Sequence, residues 1–205
     1  MSPGQPLRLA LVIGLGVSCL SVAAWALWHE DGRFGLPTPR PPGLVQPEVA
    51  TTLVLPQALA DAVPRGQGPV LLHFFNPDCP CSRFNLPHLE ELKLKYGKDV
   101  RIVGLVEGEF AAGKKLLGEL GIPLVDDESG ALANAVGVYS TPQAVILDGQ
   151  GKLRYRGNYN AARYCDDPET QYARLALEAV LAEAPVALPV QASIAYGCEL
   201  PRGHR

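Results

Sequence analysis

Leu71-Leu72-His73-Phe74-Phe75-Asn76-Pro77-Asp78-Cys79-Pro80-Cys81-Ser82 passes from a continuous apolar run into chain breakers, two thiols and the start of a helical pattern. A short apolar run over residues 70–75, bounded by Pro69 and Pro77, is what a strand buried on both faces requires. From residue 79 to residue 96 the apolar positions Phe84, Leu89, Leu92 and Tyr96 recur near helical spacing, and Gly97 supplies a stop. The junction therefore predicts a sulfur at the point where a strand gives way to a helix. Unpaired backbone N–H groups at a helix start favour an anion there, so the Cys79 thiolate is stabilised. Such a thiolate is either a nucleophile or a soft metal ligand.

Working outward, residues 51–62 read as a strand-like or helical lead-in and residues 64–69 as a turn. Residues 100–106 form a second buried strand, and residues 110–120 a second helix ended by Gly121 and Pro123. Asp126 to Gly130 is a polar turn, and residues 131–136 a short helical turn. Thr141-Pro142 precedes an alternating strand at 143–148, a Gly-Gln-Gly turn, and a further strand at 152–156. A last helix spans 168–184 with Pro168 at its start and Tyr172, Leu175, Ala176, Ala179 and Val180 on one face. The order strand, helix, strand, helix, strand, strand, helix predicts an α/β domain with a mixed sheet covered by helices.

The chain has 205 residues and a net charge of −3, with its Lys and Arg residues scattered, so one core is expected and nucleic-acid binding is excluded as a class. Residues 9–28 carry no charge in twenty positions, the length of a membrane-crossing helix, with Trp25 and Trp28 where an interface would fall. Arg8 precedes this span and Glu30 and Asp31 follow it, which places the N-terminus in the cytoplasm and the domain across the membrane, in the periplasm or an equivalent oxidising space. Ala24-Trp25-Ala26 has the form of a signal-peptide cleavage site, but the apolar run is longer than a usual signal core and favours an anchor. Cys19 lies inside the span as a small apolar residue. Prolines at 37, 39, 41, 42 and 47 predict a semi-rigid spacer. The expected organisation is an anchor over residues 1–29, a linker over 30–50, a globular domain over 51–184 and an irregular tail over 185–205. Four cysteines outside the span suit an oxidising compartment.

With the Cys79-Pro80-Cys81-Ser82 junction and the Thr141-Pro142 element in place, the chain resembles the thioredoxin-like superfamily over roughly residues 50–184. Within it, the chain is most similar to the membrane-anchored bacterial thiol–disulfide oxidoreductases that shade into peroxiredoxin-like proteins. The resemblance implies a cis Thr141–Pro142 bond set against the redox thiol, with Thr141 and Pro142 holding a substrate strand. It implies that Cys79, eight residues before the helix-kinking Pro87, is the exposed attacking sulfur. Ser82 then stands where the family has its second cysteine, and Cys81 occupies an intervening position. Cys81 resolves a mixed disulfide, ligates metal, or is merely tolerated; a Cys-x-Cys disulfide closes a very small ring and is expected to be strained and oxidising. His73 stands where the family has a buried acid that handles protons, and a histidine can exchange a proton near neutral pH. The alternative is a core histidine bonded to backbone.

Cys165 and Cys198 are expected to form a disulfide that pins the tail, the alternative being that one of them resolves Cys79. Acidic neighbours at Asp166 and Asp167 raise the Cys165 thiol pKa and argue against an attacking role. The first functional expectation is a membrane-tethered oxidoreductase that needs no cofactor and exchanges disulfides with protein substrates and a redox partner. A second is a copper-binding protein resembling the tethered chaperones of respiratory oxidase assembly, with Cys79, Cys81 and His88 as ligands; the cysteine spacing differs from that family's. A third, thiol peroxidase activity, meets Asn76 where peroxiredoxins place Thr or Ser.

Overall fold

The structure is a computed structural model that describes residues 5–30, 32, 36–63, 66–162 and 166–200. Two compact units are present, residues 1–36 and residues 37–205. The first contains helix α1 (Gln5–Glu30), whose segment Arg8–His29 is 22 residues long and contains an 18-residue stretch with a mean hydropathy of 2.2, long and apolar enough to cross a membrane.

The second unit is built on the strand read first. β1 (Val70–Phe75) is buried at all six positions. It pairs in parallel with β2 (Arg101–Val106) and antiparallel with β5 (Gln143–Leu147). A short β3 (Leu124–Asp126) lies parallel to β2, and β6 (Leu153–Gly157) lies antiparallel to β5. The sheet order is β3-β2-β1-β5-β6. A separate pair joins β4 (Ser140–Thr141) to β7 (Cys198–Glu199).

Side chains alternate across β1, so the two faces of the sheet carry separate cores. Leu71 and Phe75 pack with Leu89, Leu92 and Tyr96 of α4 (Leu86–Tyr96), Leu117 of α5 (Phe110–Leu117) and the buried face of α7 (Tyr172–Leu181). Val70, Leu72 and Phe74 pack with Leu59 of α2 (Gln57–Ala62), Leu132, Ala133 and Val136 of α6 (Ala131–Val136), and Leu200 of the tail. The fold is thus the expected α/β arrangement, a mixed sheet flanked by helices.

Four local readings are corrected. The helix expected over 79–96 is divided at Asn85 into α3 (Pro80–Phe84) and α4, because Pro87 has no N–H to continue the ladder. The last helix starts with a 3-10 turn at Pro168–Thr170, and its buried positions are Tyr172, Ala173, Ala176, Leu177 and Val180, so Leu175 and Ala179 turn partly outward. The expected linker is packed on the domain from Pro37 onward. There the Thr38 N–H donates to the Ala195 carbonyl at 2.8 Å, the Ala50 N–H to the Leu153 carbonyl at 2.7 Å, and Arg156 to the Pro47 carbonyl at 2.8 Å. The tail is likewise ordered among the described residues, with a 3-10 turn at Val190–Ser193 and then β7.

Candidate functional site

Cys79 is the residue that caps α3, with extended backbone at φ −83° and ψ 117°. The loop from β1 is fixed locally: the Asp78 N–H donates to the Asn76 side-chain oxygen at 2.9 Å and the Cys79 N–H to the Asn76 carbonyl at 3.1 Å. Ser82 is fully buried, and its Oγ accepts from the Asn76 N–H at 3.4 Å, bracing the loop that carries the thiol. Across from this loop the Thr141–Pro142 bond is cis. The Cys79 Sγ lies 3.5 Å from the Thr141 carbonyl oxygen, from which position the reduced thiol donates to it.

Cys79 is disulfide-bonded to Cys198, with the Cα atoms 6.0 Å apart. The separation follows from backbone register: β7 lies antiparallel to β4, and Cys198 is directly opposite Thr141. Three further groups hold this register. Thr38 Oγ1 donates to the Gly197 carbonyl at 3.2 Å and lies 3.0 Å from Ser140 Oγ, and the Leu200 N–H donates to the Tyr139 carbonyl at 3.2 Å. Gly197 has φ +125°, and a Cβ there would overlap the Thr141 carbonyl oxygen. Only glycine lets the tail approach so closely.

The structure corrects several expected roles. Cys198 is bonded to Cys79, so the expected Cys165–Cys198 bridge does not form; Cys165 lies outside the described residues. The bond to Cys79 comes from the strand facing Thr141 and not from Cys81, whose bond would close the small Cys-x-Cys ring. Cys79 was expected to be exposed, yet it is only 2% exposed, with its sulfur bonded to the tail. The third member of the sulfur group is Cys81, buried in α3; the Cys79, Cys81 and Cys198 sulfurs all lie within 4.8 Å of one another. His88, expected as a metal ligand beside them, does not belong to that group. It is buried against Tyr159, edge-on at 6.1 Å, with its Nδ1 3.6 Å from Glu91, and burial pushes its pKa down.

His73 is fully buried on β1, its Nδ1 2.8 Å from the Tyr159 hydroxyl, and burial lowers its pKa to about 3. It is therefore neutral near pH 7, which removes the expected proton exchange in that range, and its bond is to a tyrosine and not to backbone. A titratable group that sequence reasoning missed lies just beyond β2. Glu107 is fully buried and donates its N–H to the Phe75 carbonyl at 2.8 Å. Burial, reinforced by the adjacent Asp127 carboxyl, raises its pKa to about 10. Asp127 meanwhile accepts from the Leu132 and Ala133 N–H groups at 2.9 and 2.8 Å, capping α6. The only sequence signal for Glu107 is a carboxylate directly abutting a buried apolar strand.

Residues 50–199 match the family described as Domain of unknown function (DUF6436). The chain belongs to the DUF6436 family. The matched span includes all three thiols of the site and ends at β7. DUF6436 in this chain is related to a thiol:disulfide interchange protein DsbE homolog of Paracoccus denitrificans, 30% identical over 165 residues, 76% of this chain and 84% of the relative. The DsbE protein of Yersinia pestis is 33% identical over 99 residues, 46% of this chain and 51% of its own length. The chain spans about half the length of the first curated relatives that it matches. An uncharacterized conserved protein from Geobacillus kaustophilus shares the fold with a TM-score of 0.61 and 24% identity, covering 80% of this chain and 97% of that one. The sheet order, the cis-proline and these relatives place the DUF6436 domain in the thioredoxin-like redox branch that the sequence resembles.

Proposed function

We propose that the chain is a membrane-tethered thiol–disulfide oxidoreductase that exchanges disulfides with protein thiols through the couple Cys79–Cys198. One observation carries this reading: a disulfide that joins the strand-to-helix cysteine to a tail strand paired against the residue before a cis-proline. The names of the relatives support the reaction class.

In the oxidised chain Cys198 is half-buried and Cys79 is sealed, so an incoming thiolate attacks the Cys198 sulfur. The Cys79–Cys198 bond breaks, Cys79 leaves as a thiolate, and a mixed disulfide forms between the partner and Cys198. A second thiol of the partner attacks its own sulfur in that mixed disulfide, closing the partner's disulfide and releasing Cys198. Two electrons and two protons pass to the chain. Run in the other direction, Cys198 attacks a substrate disulfide, and Cys79 then attacks the Cys198 sulfur and releases the second substrate thiol. The relative potentials of chain and partner set the direction. α1 serves as the anchor, and the charge asymmetry around it supports a periplasmic side for the domain.

Exchange between the purified chain and a disulfide-bonded protein tests the assignment. Cys198→Ser is expected to abolish exchange, and Cys79→Ser to arrest it as a stable mixed disulfide on Cys198. Turnover of Cys198→Ser at the wild-type rate contradicts the pairing.

A further inference from the structure

We propose that the reduced chain binds one Cu(I) ion in a three-coordinate site formed by the sulfurs of Cys79, Cys81 and Cys198. These sulfurs, from the α3 cap, α3 and β7, lie within 4.8 Å of one another. Three sulfurs in a plane around an ion at about 2.3 Å from each stand about 4 Å apart. Opening the Cys79–Cys198 bond moves that pair toward this spacing, and the 6.0 Å between their Cα atoms accommodates it by side-chain rotation. Cys81 closes from within 4.8 Å.

The donor set selects the ion. Thiolates are soft ligands that favour Cu(I), whereas structural zinc takes four ligands. Among the described residues no His, Asp or Glu joins the group, and His88 is turned to Tyr159 and Glu91. Cys79 and Cys81 are 2% and 9% exposed, which restricts water from completing a fourth position.

Metal and disulfide use the same sulfurs and exclude each other. Two-electron reduction of the Cys79–Cys198 bond by a thiol or phosphine gives two thiols, and Cu(I) binding then releases thiol protons without changing the oxidation state of copper. The site is thus open only in the reduced chain. It requires the three sulfurs but not the exchange activity.

The test uses the full chain in detergent, reduced with a phosphine, desalted without oxygen and titrated against the Cu(I)–bicinchoninate complex. The reduced wild type is expected to withdraw one equivalent and the oxidised wild type none. Cys81→Ser and Cys198→Ser are each expected to bind at least tenfold more weakly, and X-ray absorption of the loaded wild type to show three sulfur neighbours. Mass mapping of oxidised Cys81→Ser, with its Cys79–Cys198 bond retained, verifies that this variant keeps the local fold. Failure of the reduced wild type to withdraw copper, a two-sulfur site, or wild-type affinity in Cys81→Ser overturns the proposal. Absent copper binding with exchange intact removes the metal site alone; absent exchange with copper bound removes the oxidoreductase reading alone.

Discussion

At the scale of single residues, Gly197 decides whether the tail can reach the thiol. Its positive φ and its contact with the Thr141 carbonyl leave no room for a side chain. Gly197→Ala is expected to push β7 off β4 and destabilise the oxidised form relative to the reduced one. Each ~1.4 kcal/mol lost raises the reduction potential of the couple by about 30 mV. Equilibration with glutathione buffers measures this, and a potential equal to that of the wild type would show that the close approach is not needed. Glu107 makes a different prediction, because its pKa of about 10 exceeds the ordinary 4.5. Between these values the unfolded chain ionises at this position while the folded chain keeps its proton, so stability falls as pH rises through that window. Glu107→Gln removes the penalty: its melting temperature is expected to exceed that of the wild type at pH 8, with the gap closing toward pH 5. A gap that stays constant with pH would exclude Glu107 as the source.

At the scale of elements, β1 does most to position the site, since its buried residues fix where the loop to Cys79 begins. Phe74 is fully buried in the core toward α2 and α6. Phe74→Ala is expected to cost about 3–5 kcal/mol in urea unfolding, whereas Leu94→Ala, at a position 79% exposed on α4, should change little. Equal losses at both positions would contradict the assignment of the core. The bounds of β1 were legible because a six-residue run, apolar but for His73, lies between prolines. β3 was not, because its three residues run directly into the acidic turn at 126–130 and depend on pairing with β2. Nor was β7: two residues without alternation carry no strand signal, and what holds them is distant in sequence, at Thr38, Tyr139 and Ser140. The proline-rich segment misled for a related reason. Proline lacks a donor but keeps its carbonyl, and the Pro47 carbonyl accepts from Arg156.

At the scale of the whole molecule, the candidate site is assembled from residues more than a hundred positions apart; Cys79 and Cys198 are separated by 119. The sequence displayed the Cys79 junction and the Thr-Pro element, because each has a local signature. It withheld the pairing, since four cysteines outside the apolar span allow several connectivities and only the fold brings the tail to Thr141. The Pro37–Arg205 unit contains the whole site. It is expected to fold without residues 1–36 and to show a single cooperative unfolding transition; an unfolded truncated chain would mean that this segment is required. The most direct test of the account is mass mapping of the alkylated full chain across a glutathione redox titration. The account predicts one reversible couple linking Cys79 to Cys198, with Cys81 alkylated in both states. A reversible couple between Cys79 and Cys81, or between Cys165 and Cys198, would contradict it.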